Sequence, residues 1–168
     1  MNQHLRVRPA VRRPRAEDVL EQRAGFLLGA IANKLVNCGS AIYRREFGIG
    51  FTEWRVMVML ALEPGISATR ICQLVGLDKA AISRGIAALD GAGMIEPTAQ
   101  TVSRRSRAYV LTPAGRAIYD RILAISREHE RILLAGLEPH EVPVLLDLLR
   151  RLLAKIPQVE AFKPEPVV

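Results

Sequence analysis

Apolar residues recur along this chain at intervals of three and four, the spacing that gathers them on one face of an α-helix. Leu27, Ile31, Leu35, Cys38 and Ile42 form the first such stripe. Asp18 with Glu21 offers it a start, an acid at the N-cap and Glu at the third position. Gly48 and Gly50 break it after Phe47. A second helix, Glu53 to Glu63 capped by Thr52, holds the apolar run Val56–Leu62 and ends at Pro64-Gly65. A short third helix, Ala68 to Val75, follows Ser67. Gly76-Leu77-Asp78 then forms a tight turn, with the aspartate capping a fourth helix from Lys79 to about Asp90.

After Gly91 and Gly93 the period changes. Met94–Pro97 and Ala108–Leu111 read as two short strands around the polar loop Thr98–Arg107. Thr112-Pro113 is a strong helix start, a capping hydroxyl with proline at the first helical position. The helix it opens carries Ile118, Ile122, Ile125, His129 and Ile132 on one stripe, and Gly136 interrupts it. Glu138-Pro139 opens a final helix to about Ile156, with Pro143 early enough to be tolerated. Its Leu145, Leu146, Leu148, Leu149, Leu152 and Leu153 cover more than one face. The pattern predicts a mainly α fold with one small β-hairpin. No repeat at solenoid periods is present. Residues 1–16 and 157–168 lack periodicity and read as a disordered basic arm and a loose C-terminal tail.

The middle of this order has helix-turn-helix character. Ile71 and Leu74 face inward from its first helix, Leu77 plugs the angle, and Ile82, Ile86 and Leu89 face inward from its second. Lys79, Ala80, Ser83, Arg84 and Ala87 are left outward. Small residues beside a few hydrogen-bond donors suit a helix that enters a DNA major groove about 12 Å wide. Thr69 and Arg70, at the start of the preceding helix, join them as candidate DNA contacts. The hairpin loop adds Arg104, Arg105 and Arg107 with Ser103 and Ser106, and no acid. Such a wing can lay arginines along a minor groove or a phosphate backbone. The competing readings are an ordinary helical hairpin and solvated loop charges.

Composition narrows the setting. The 168 residues suit one domain with appended elements, and 49% are hydrophobic, enough for a sizeable core. The 24 Lys+Arg exceed the 17 Asp+Glu, a formal charge of +7, which suggests a polyanionic partner. Five of these charges, Arg6, Arg8, Arg12, Arg13 and Arg15, lie in the acid-free arm. Two cysteines, Cys38 and Cys72, exclude a disulfide-dense scaffold and an all-Cys metal cluster. Ala24 to Asn33 is the longest stretch of the body free of Asp, Glu, Lys and Arg, about half of the ~20 residues a spanning helix needs. No transmembrane segment or signal peptide is therefore expected, and the expected location is cytoplasmic.

These residues carry a resemblance. Gly65 to Arg84, then Leu89-Asp-Gly-Ala-Gly-Met-Ile-Glu96, then Leu111-Thr-Pro-Ala-Gly-Arg116 resemble the MarR family of bacterial winged-helix regulators, over roughly Glu21 to Ile156. The resemblance implies a winged helix-turn-helix with a small β-hairpin wing over 48–112, and a helical dimerisation region over 17–47 and 113–156. It implies a sequence-specific double-stranded DNA-binding regulator of transcription, a repressor released by a small aromatic or phenolic ligand or its thioester. It also implies a homodimer joined through the first and last helices. Leu27, Ile31, Leu145, Leu149, Leu152 and Leu153 are the interface candidates. The apolar last helix independently argues for pairing, since it leaves a large patch uncovered. Two recognition helices would then stand about 34 Å apart on a pseudo-palindromic operator. One departure concerns the wing. The family's Asp-x-Arg brace looks like Ser103 and Arg105 here, so the arginine is kept without its acid.

The resemblance places a ligand pocket between the dimer helices and the DNA-binding lobe. Candidates are Phe26, Ala30, Tyr43, Phe47, Phe51, Trp54, Met57 and His129, with Arg44 or Arg55 for a carboxylate. Core packing is the competing reading for each aromatic. Cys38 and Cys72 read as buried structural cysteines, with redox regulation through either as the alternative. His4, His129 and His140 are dispersed, and no metal or cofactor is expected. No Gly-rich phosphate loop or nucleophile motif suggests an enzyme. A helical protein-interaction adaptor without DNA binding is the remaining rival.

Overall fold

The computed structural model describes residues 15, 20, 22–98 and 108–164. They fall into two compact units, 1–118 and 119–168. The element order is α1 (Ala24–Phe47), α2 (Phe51–Leu62), α3 (Ala68–Val75), α4 (Lys79–Gly91), β1 (Ile95–Pro97), β2 (Tyr109–Leu111), α5 (Pro113–Leu134), α6 (Glu141–Leu153) and α7 (Ile156–Glu160).

Helix ends in the first unit follow local chemistry. Ser67 Oγ accepts from the Arg70 N–H at 3.2 Å and Asp78 Oδ1 from the Ala81 N–H at 2.8 Å, so each side chain satisfies a donor that the helix start leaves orphaned. Gly48 and Gly76 close α1 and α3 at φ 68° and 66°, a left-handed conformation that glycine adopts without a Cβ clash. The hairpin is antiparallel, with Ile95 opposite Leu111 and Pro97 opposite Tyr109.

The core of this unit lies where α1, α2 and α4 meet. Tyr43, Trp54, Val56, Met57, Leu60, Ile71, Ile82, Leu89 and Ile95 are buried. Tyr43 stacks on Phe51 with ring centroids 6.3 Å apart and meets Trp54 at 5.9 Å. Gly39 makes the stack possible, since a Cβ there would stand 3.1 Å from the Phe51 ring. Gly85 lets α4 lie close on α2, with a Cβ position only 3.2 Å from Thr52 Cγ2.

Several sequence expectations are corrected. The first helix does not run unbroken from Asp18. Arg23 is extended (φ −108°, ψ 108°) and its N–H closes a turn onto the Leu20 carbonyl at 3.0 Å, so α1 begins at Ala24. Gly50, not Thr52, stands at the N-cap of α2, and Thr52 lies within the first turn. Leu74 is 48% exposed, because Ile71 takes the inward position of α3. Cys38 is exposed and Cys72 partly so, and both are free. Cys38 is uncovered for the same reason as Leu27, Ile31 and Leu35 on its stripe: among the described residues, nothing lies over that face of α1.

In the second unit α6 starts at Glu141 rather than at Pro139. The tail is partly helical, since α7 includes Pro157 at its second position, where no intrahelical donor is required. Leu145 and Leu149 are partly covered, whereas Leu148, Leu152 and Leu153 are exposed. Glu128 accepts two hydrogen bonds from Arg131, at 2.8 and 2.6 Å, which hold its carboxyl below the usual range. By length and composition α1 is apolar enough to cross a membrane, although the longest uncharged stretch within it is short.

Candidate nucleic-acid interface and adjoining cavity

α4 has two chemically distinct faces. Ile82, Gly85 and Leu89 are buried against the rest of the first unit, with Ile86 half-buried. Lys79, Ala80, Ser83, Arg84 and Ala87 are exposed, as their helical spacing predicts. Thr69 and Arg70 are exposed on α3. The structure thus presents cations and a hydroxyl on one surface of a helix whose other side is anchored. Neither Lys79, Arg84 nor Arg70 forms an ion pair among the described residues, so each can meet a phosphate or a base edge. Arg104, Arg105 and Arg107, with Ser103, lie outside the described residues.

The hairpin base is joined to α4 and α5 by a short network. Thr112 Oγ1 donates to the Gly93 carbonyl and accepts from the Gly115 N–H, and the Thr112 N–H donates to the Met94 carbonyl at 3.1 Å. A Cβ at Gly115 would collide with the Met94 carbonyl oxygen. These contacts explain why Gly93-Met94 and Leu111-Thr-Pro-Ala-Gly115 occur together in the sequence.

A cavity of about 340 Å³ adjoins the buried side of α4, at the small end of the ~300–1,000 Å³ usual for ligand sites. Of the pocket candidates it gathers Arg44, Phe51 and Arg55. Tyr43, Trp54 and Met57 belong instead to the core, where their rings or thioether fill space. Phe26 is exposed on α1, Ala30 and Phe47 are half-buried, and His129 lies in the second unit. Arg55 Nη1 donates to the Val75 carbonyl at 3.4 Å, and its guanidinium lies 4.9 Å from the Phe51 ring centroid. Burial pushes its pKa down. Arg44 and Glu53 both reach over Gly50, where a Cβ would stand 3.1 Å from Arg44 Nη2.

Sequence reasoning missed the rest of the lining, which includes Ser40, Thr52, Leu77, Ala81 and Gly85, and it assigned Arg84 to DNA alone. One signal was available. Ala81, Gly85 and Ala88 are small residues at helical spacing, a mark of a helix flank that approaches its neighbour closely. Among the described residues no group of three or more His, Cys, Asp or Glu side chains is placed to hold a metal ion.

Comparison with known proteins agrees with this architecture. The family model described as the MarR family matches residues 47–106. No curated protein matches the chain significantly. A MarR/EmrR family transcriptional regulator from Acinetobacter sp. ADP1 is 34% identical, with 83% of this chain and 98% of that one covered and a TM-score of 0.76. A MarR family regulator from Silicibacter pomeroyi is 26% identical over 86% and 97% of the two chains, TM-score 0.72. A Mycobacterium tuberculosis MarR family protein, solved in complex with salicylic acid, is 26% identical over 77% and 96%, TM-score 0.62. With its helix-turn-helix, its hairpin and a relative 34% identical over 83% of its length, the chain belongs to the MarR family of transcriptional regulators.

Proposed function

We propose that this protein is a cytoplasmic, homodimeric repressor that binds a pseudo-palindromic operator and releases it when a small aromatic or phenolic acid, or its thioester, binds. The observation that carries the DNA reading is the exposed donor face of α4, Lys79 to Arg84, opposite the buried Ile82–Gly85–Leu89 face. Ala80, Thr69 and Arg70 flank the contact, and Arg104, Arg105 and Arg107 of the hairpin loop are assigned to the DNA backbone from the sequence alone.

Two stretches, 17–47 and 113–156, supply the dimerisation region in this reading. Leu27 and Ile31 of α1 and Leu152 and Leu153 of α6 are exposed in the single chain, more apolar surface than a monomer usually leaves in water. The same cover accounts for α1, whose apolar character a second copy satisfies without a membrane. For the effector, the cavity's Arg44, Phe51 and Arg55 offer a cation and a ring to an aromatic acid, and the salicylic acid complex of the mycobacterial relative supports that class.

The test is a gel shift against the DNA upstream of the protein's own gene, over a salt series. Phosphate contacts release counterions, so affinity should fall by roughly 10³-fold or more between about 50 and 200 mM salt. Affinity that is flat across this range refutes the DNA reading and favours the protein-interaction adaptor. Adding salicylate should then weaken operator binding.

A further inference from the structure

A helix leaves its last carbonyls unpaired and gathers partial negative charge at that end. α3 carries no basic residue in its last turn to answer that charge. The Gly76 N–H takes the Cys72 carbonyl, and Arg55 of α2 supplies a partner for Val75, whose carbonyl accepts from Nη1 at 3.4 Å. The bond is long, and attraction between the guanidinium and the negative end of α3 adds to it. The same guanidinium lies 4.9 Å from the Phe51 ring centroid, and Phe51 stacks on buried Tyr43 of α1. One side chain thus joins the aromatic core to the end of α3. Directly after Val75 comes the turn Gly76-Leu77-Asp78, whose aspartate caps α4. Gly76 and Asp78 are exposed and Leu77 is half-buried, so little apolar packing holds the turn, and the Val75 peptide is its polar anchor.

From this placement, and resting on the DNA reading above, we propose that Arg55 is a positioning residue for sequence discrimination. It fixes where the N-terminal end of α4 stands, and so whether Lys79, Ser83 and Arg84 reach base edges, without touching DNA itself. Base readout needs donors held within about 0.5 Å of the productive geometry, whereas phosphate contacts carry no sequence information and tolerate displacement. A turn that samples other positions lowers the fraction of molecules able to read, and apparent affinity falls by that fraction. Losing one hydrogen bond changes such a ratio by about fivefold to tenfold. Arg55→Met keeps a long apolar stem and removes the donor and the charge. The desolvation it relieves is common to both positions of the turn and cancels in their ratio, so discrimination falls where overall stability does not.

The test titrates the full chain, with no effector added, against the duplex upstream of its own gene and a scrambled duplex of the same length. Arg55→Met should lose about fivefold to tenfold in affinity for the upstream duplex, and keep its affinity for the scrambled one and its salt slope. Arg55→Lys restores a cation and a donor and should recover most of the preference. The Gly76 and Ala81 amides, which donate to Cys72 and Asp78, should exchange hydrogen faster in Arg55→Met, with the amides of α5 unchanged. Urea midpoints verify that both variants fold. A preference equal to wild type in Arg55→Met, an equal loss on both duplexes, a Lys variant no better than Met, or unaltered exchange at Gly76 and Ala81 overturns the role of Arg55 while the DNA reading stands. A wild type without preference for the upstream duplex removes the DNA reading, and the role of Arg55 with it.

Discussion

The Thr112 hydroxyl donates a 2.8 Å hydrogen bond to the Gly93 carbonyl. It also accepts one from the Gly115 N–H at 3.0 Å, so one side chain caps α5 and ties its start to the end of α4. Thr112→Val should therefore cost about 1–2 kcal/mol of stability, for a lost cap and an unpaired carbonyl. Thr112→Ser should stay within about 0.5 kcal/mol, the range of innocuous changes. Gly115→Ala should cost about 1–3 kcal/mol, because its methyl enters the space of the Met94 carbonyl. Urea denaturation of the three variants checks the order.

Arg84→Ala should lower operator affinity by about 1–3 kcal/mol, the value of one good bidentate base contact. Affinity for a scrambled duplex should change much less. Fold stability should hold, since the side chain is exposed. Unchanged operator binding in a fluorescence anisotropy titration would remove Arg84 from the reading surface.

Deleting residues 1–16 removes five arginines and no acid. Charge without pattern adds affinity for any polyanion, so the truncated protein should show a shallower dependence of log affinity on log salt. Its preference for operator over unrelated DNA should persist. Loss of that preference would show that the arm reads sequence.

Leu149→Asp combined with Leu153→Asp places two charges on the apolar face of α6. Light scattering should report a dimer for the wild type and a monomer for the double variant, and operator binding by the variant should weaken with the loss of the second half-site. A double variant that remains dimeric would place the interface elsewhere.

Arg55→Met tests whether the half-buried guanidinium serves stability or ligand. Met removes one long hydrogen bond and a cation–π contact, each worth about 1 kcal/mol, and also removes a desolvated charge. Stability should therefore stay within about 1 kcal/mol of wild type, while salicylate affinity falls. A stability loss well beyond that in urea denaturation would make Arg55 a structural strut.

Elements whose ends are made locally were legible in the amino-acid order alone. Ser67, Asp78, Thr112, Gly48 and Gly76 each close a helix through a hydrogen bond or a dihedral angle within a few residues. The outward face of α4 was equally legible, because helical spacing alone sorts Lys79, Ser83 and Arg84 from Ile82 and Leu89. Periodicity tells which residues share a face but not what covers that face. Only the tertiary structure could therefore send Tyr43 and Trp54 to the core and leave Cys38 and Leu74 exposed. It alone could bring Arg44, Phe51, Arg55 and Arg84, from three different helices, around one cavity. That convergence depends on the close approach of α2 and α4 at Gly85, a property of packed backbones that no single helix encodes.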